Sequence, residues 1–145
     1  MSKPHLILLL IVLGLLGSGG GSWGEPGDSP PLIAKEQRIE ILIRHSEFLV
    51  TQPGGLQIEM PVVIIVRNQD IVRHGFTSPM LLGQEVTAEG EGISAYGKGI
   101  EGFHVDAGKT LVIRLTPEHP GRFEFHCDIH AQMKGEILFL EVGTV

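Results

Sequence analysis

The sequence has very little cysteine: one residue, Cys127, in 145. That excludes an internal disulfide, so the fold must stand on its core and on any metal it binds. A lone thiol in an exported chain pairs with another chain, reacts, or is shielded as a ligand. Basic residues are also few. Eleven Lys and Arg face 17 Asp and Glu, for a net charge of −6. Such a chain repels phosphate backbones, which argues against nucleic-acid binding, and its charged partners should present basic surfaces. The plainer reading of this acidity is solubility alone. Long apolar runs and helical periods are scarce, which excludes a helix bundle. The longest apolar run, Leu6 to Leu16, is shorter than a comfortable membrane span.

That run follows Lys3 and precedes Ser22 and Gly24, small residues at the two positions a signal peptidase favours. Residues 1–24 therefore read as a signal peptide, or as an N-terminal anchor if uncleaved. Cleavage before Glu25 removes Lys3 and leaves 10 basic against 17 acidic residues, a charge of −7. No cysteine closely follows the run, so a lipoprotein anchor is excluded. Residues 25–36 continue a Gly-, Ser- and Pro-rich stretch and read as a flexible linker, which leaves 37–145 as one domain. Export, to a bacterial periplasm, is the expected destination. Any membrane attachment would run through the N-terminal segment alone.

The rest of the chain reads as short strands. Ile39, Ile41 and Ile43 alternate with Glu40, Leu42 and Arg44. Pro53-Gly54-Gly55 is a turn, and Leu56 to Glu59 alternates again. Pro61 to Val66 is a β-branched run suited to a strand buried on both faces. Thr110 to Leu115, Arg122 to Cys127 and Glu136 to Val142 are further strands, parted by turns at Ala107–Lys109 and Pro117–Gly121. The glycine-rich stretch from Leu81 to Gly102 shows no clear period and reads as a long loop with a short helical turn. Short strands between Gly and Pro turns predict an all-β sandwich or barrel.

The chemistry concentrates in the segment from Phe123 to Gly135. Alternation puts Phe123, Phe125 and Cys127 on one strand face and Glu124 and His126 on the other. Cys127, His130 and Met133 then follow three residues apart, so a tight loop can aim all three at one point. Gly135 is read as freeing the backbone to enter the next strand. A thiolate and a thioether are soft ligands that select copper. A second imidazole would complete a two-His, one-Cys plane with a weak axial Met, the blue-copper arrangement. Zinc makes little use of methionine. The best candidate for the second imidazole is His74, which lies beyond the buried strand and before Phe76. Taken singly, Cys127 fits a core thiol, Met133 core packing and His74 a turn residue. His126 points away from Cys127, and His45, His104 and His119 lack ligand spacing, so these read as structural or surface residues. An oxidase-type dinuclear copper site needs two cysteines on its loop and is excluded.

Together, NQDIVRHGF at residues 68–76 and GRFEFHCDIHAQMKGEI at 121–137 resemble the cupredoxin, or blue copper, family, with a Cys-x2-His-x2-Met spacing similar to that of the amicyanins. The resemblance runs from about Arg38 to Val142. It implies a Greek-key β-sandwich, one copper ion held by His74, Cys127, His130 and Met133, and one-electron transfer with His130 as the exit route. Implied partners are redox proteins such as cytochromes or a copper- or quinone-linked oxidoreductase, docking on an apolar patch of Ile129, Ala131 and Met80. Gly75 departs from the pattern, since Asn often follows the first ligand histidine and ties the two ligand loops. The glycine-rich 81–102 stretch has no counterpart. The alternative function is copper storage, delivery or sensing. An enzyme such as a copper nitrite reductase or small oxidase needs a second copper site and is disfavoured.

Overall fold

The computed structural model describes residues 35–143, apart from 52 and 53. The expected signal segment, most of the expected linker and Pro53 of the expected turn lie outside the described residues. Among the described residues, no helix is long and apolar enough to cross a membrane.

Eleven strands are described: β1 (Gln37–Arg44), β2 (Glu47–Val50), β3 (Leu56–Gln57), β4 (Val62–Asn68), β5 (His74–Thr77), β6 (Val86–Glu89), β7 (Ile93–Tyr96), β8 (Gly102–Val105), β9 (Thr110–Leu115), β10 (Gly121–His126) and β11 (Lys134–Leu140). They form two mixed sheets, β2-β1-β4-β9-β6 and β3-β11-β10-β5-β8-β7. From β4 onward the chain passes repeatedly from one sheet to the other, the crossing pattern of a Greek-key sandwich. The expected all-β sandwich is what the chain forms.

The alternation read from the sequence explains the core. Ile39, Ile41 and Ile43 of β1 point inward, as do Leu111, Ile113 and Leu115 of β9 and Ile137 and Phe139 of β11. The central β4 is buried on both faces, with Val63 and Ile65 shielded as well as Val62, Ile64 and Val66. Phe48, Phe76 and Phe125 pack together near the His74 and Cys127 strand ends. Phe125 lies 5.0 Å, ring centre to ring centre, from each of the other two. Truncating such a buried ring to alanine typically costs about 3–5 kcal/mol.

The 81–102 stretch departs from the expected loop. A 3-10 turn at Pro79–Leu81 leads into it, and it carries two complete strands, β6 and β7, followed by β8. Both β6 and β7 are edge strands, one in each sheet. An edge strand buries little, so its inward residues need not be strongly apolar and the period is faint. Glycines with positive φ at 83, 90, 92, 97 and 99 mark the turns between them. Gly135 also acts differently from expectation. Its φ is not in the left-handed region, but a Cβ there would lie 2.2 Å from the Phe125 ring. It is a glycine so that β11 can pass flat over that ring.

Candidate metal centre

His74 opens β5, and Cys127 directly follows β10, so both stand at one end of the second sheet. From Cys127 the chain makes a compact loop back to β11. The Met133 N–H donates to the His130 carbonyl at 3.0 Å, and the Cys127 N–H donates to the Met133 carbonyl at 3.1 Å. This closure is what three-residue spacing permits.

The loop brings His130 against His74 and Cys127. The two Nδ1 atoms are 3.2 Å apart, and Cys127 Sγ is 3.6 Å from His130 Nδ1 and 4.0 Å from His74 Nδ1. With metal–nitrogen bonds of about 2.0 Å and metal–sulfur bonds of about 2.3 Å, donors spread about 110–120° around one ion stand about 3.3–3.7 Å apart. The observed spacings bracket that range, so these three atoms can hold a metal ion. His74 and Cys127 are buried, while His130 is half-buried. Met133 is buried in the same apolar cluster as Cys127. The Gly75 N–H donates to Cys127 Sγ at 3.1 Å, joining the two ligand segments directly.

Three polar residues that the sequence reading passed over fasten these ligand segments. Asn68, 2% exposed, donates through Nδ2 to the carbonyls of Val72, Val105 and Asp106, shaping the segment before His74. Asp70 accepts from His74 Nε2 at 2.8 Å. Burial alone would raise the Asp70 carboxyl. The Ser46 and His45 amides and the His74 imidazole outweigh it and hold the group below the usual aspartate value. Asp128 fills the space above Gly75, where a Cβ would meet its Oδ1 at 1.9 Å, and it pairs with His104 Nε2 at 2.7 Å. His104 in turn stacks on Tyr96, whose hydroxyl contacts Thr77. The side-chain tie that residue 75 lacks is therefore made from the other loop, by an aspartate resting on β8.

Strand alternation puts His126 on the opposite face of β10 from Cys127. It lines an open cleft with Glu124, Asp128, Ala131 and Lys134, which Cys127 also borders. His104, read as a structural or surface residue, is the base of the Asp128 brace. Met80 does not join an exposed apolar patch: it is 3% exposed and packs in the core beside the 3-10 turn. The exposed apolar side chains of the two segments are Ile71 and Val72 on one and, as expected, Ile129 and Ala131 on the other.

No protein-family model and no curated protein matches the sequence. Solved structures do match by shape. A multicopper oxidase from Campylobacter jejuni is 15% identical, with a TM-score of 0.50 over 79% of this chain and 31% of its own. Another multicopper oxidase is 15% identical, with a TM-score of 0.51 over 74% of this chain and 45% of its own. Amicyanin from Paracoccus versutus is 16% identical over 77% of this chain and 86% of its own, with a TM-score of 0.44. The chain spans less than half the length of the two oxidases. Identity this low defines the fold and nothing finer: the chain has the cupredoxin fold, with a His-Cys-His group beside a methionine-bearing loop.

Proposed function

We propose that the chain is a mononuclear copper protein that carries single electrons between redox partners. The observation that carries this reading is the convergence of one sulfur and two imidazole Nδ1 atoms within 4.0 Å of one another, with the Gly75 N–H aimed at the sulfur. Two nitrogens and a thiolate, with Met133 on the same loop, suit copper better than zinc. His74, Cys127 and His130 would hold the ion, with Met133 as a weak fourth ligand. Copper bound there supplies a one-electron couple.

The protein's part is to keep the donors fixed and shielded. His74 and Cys127 are 0% and 1% exposed, so water is kept from the sulfur. Half-buried His130 offers a ring near solvent, flanked by exposed Ile129, with Ile71 and Val72 exposed on the neighbouring segment. This end suits brief docking of a redox partner, such as a cytochrome or a copper- or quinone-linked oxidoreductase, against an apolar surface. The acidic chain suits a partner with a basic rim. Residues 1–24 support export, as a cleaved signal or a tether, with the periplasm as the site of action.

Visible and EPR spectra of the copper-loaded protein, repeated for Cys127→Ser, test the reading. The wild type should show an intense thiolate-to-copper band that the variant lacks entirely. A colourless or redox-silent wild-type complex overturns the carrier. Burial of the sulfur also suits a storage or delivery module using the same ligands. Rapid loss of Cu(I) to a weak chelator favours that second reading, and clearly more than one copper per chain would point to an enzyme instead.

A further inference from the structure

Asp70 lies outside the proposed ligand set, yet its carboxylate accepts three hydrogen bonds at this end of the sandwich. Oδ1 accepts the His45 N–H at 2.7 Å, and Oδ2 accepts both the Ser46 N–H at 2.8 Å and His74 Nε2 at 2.8 Å. Its own N–H donates to Asn68 Oδ1 at 3.0 Å, and its side chain is 12% exposed.

The two amides come from the turn joining β1 to β2, where Arg44 pairs with Glu47 across two residues. His45 and Ser46 have φ of 53° and 56°, a left-handed conformation that side chains with a Cβ adopt at a cost. Glycine or asparagine is the usual occupant of such a turn. Here consecutive amides of the turn converge on one anion, as backbone concavities do. The turn belongs to the first sheet and His74 to the second, so the carboxylate fastens one sheet to the metal-facing histidine of the other.

We infer that Asp70, held by the His45–Ser46 turn, is the positioning residue that fixes the orientation and tautomer of His74. The inference rests on the metal-site reading above. The His74 ring is fully buried, and Nε2 faces an acceptor already taking two backbone N–H groups. An ionised carboxylate accepts and does not donate, so Nε2 carries the proton and Nδ1 keeps its lone pair toward Cys127 and His130.

The test begins on the metal-free full chain. Two-bond proton–nitrogen NMR should report His74 as the Nε2–H tautomer, with a slowly exchanging ring proton. Asp70→Asn keeps the size but replaces one acceptor with a donor. It should speed exchange of that proton at least ~10-fold and weaken Cu(II) binding about 10–100-fold, the usual reach of an outer-shell partner. It should also raise the reduction potential more than Glu89→Gln, which removes an equal charge from an exposed surface pair. An Nδ1–H tautomer in the wild type overturns the inference even if the variant fails to fold. So does an Asp70→Asn protein with unchanged exchange, Cu(II) affinity and potential. A wild type with the expected tautomer that binds no copper defeats the copper reading and leaves the positioning role standing.

Discussion

The two segments that carry the proposed ligands reach the same point by different means. The segment before His74 is short and tied on every side: Asn68 bonds three carbonyls, Asp70 bonds a turn in the other sheet, and the His74 ring has no exposure. The Cys127–Met133 loop is closed by its own backbone and braced laterally by Asp128 on His104, with His130 half-buried at its crest. One imidazole is therefore part of the core's frame, and the other is part of the surface. If copper binds here as proposed, the site has a fixed half that sets geometry and an accessible half that faces solvent.

The largest effect that could break this contrast comes from removing each ring. His74→Gly and His130→Gly should both lose the thiolate-to-copper band. Added free imidazole should restore it in His130→Gly, whose vacancy opens to solvent, and not in His74→Gly. Equal rescue, read by visible titration, would show that the two halves do not differ. A smaller effect is expected where the halves meet. Gly75→Ala places a methyl group on Asp128 and should destabilise the protein by about 1–3 kcal/mol, the range for forced overpacking. Denaturant unfolding with Asp128→Ala as a second background sharpens the point, because the penalty should shrink once the carboxylate is gone.

The smallest effect concerns Tyr96, the sole tyrosine of the chain. Burial, and then the nearby Asp128 carboxylate, push its phenol well above its ordinary value. A folded-state value raised in this way contributes stability that is present below about pH 10, the ordinary tyrosine value, and is lost as pH rises through the folded-state value. Phenolate absorbance should therefore stay low past the pH where a free tyrosine ionises, then rise together with unfolding. In Asp128→Asn it should appear at lower pH. An ordinary titration in the wild type would show that Asp128 does not brace the loop against β7 and β8.

The frame of the fold was legible because its strands are half or wholly apolar. β1, β4 and β9 show their burial in the order of their side chains, and β10 and β11 do so around Phe125 and Phe139. The edge strands β6 and β7 were not legible, since residues such as Thr87, Glu89, Ser94 and Ala95 are exposed and leave little pattern. The Cys127 loop could be read because its residues are neighbours in sequence. The Asp70 anchor could not, because its amide partners lie 24 and 25 residues away in a turn with neither glycine nor asparagine to announce its conformation. The role of Asp128 was hidden for a related reason: its partner His104 lies on a strand whose existence was itself unsigned.

The unequal burial of the two rings also gives the centre a direction of assembly. The thiol and the His74 ring are walled in beside a core that includes Phe76, Phe125, the isoleucines of β1 and Ile64. An ion bound there as proposed would meet a walled-in thiol and first imidazole, with His130 as the donor nearest solvent. Release from such a centre would then run past the half-buried His130 on its surface loop, without opening the sandwich.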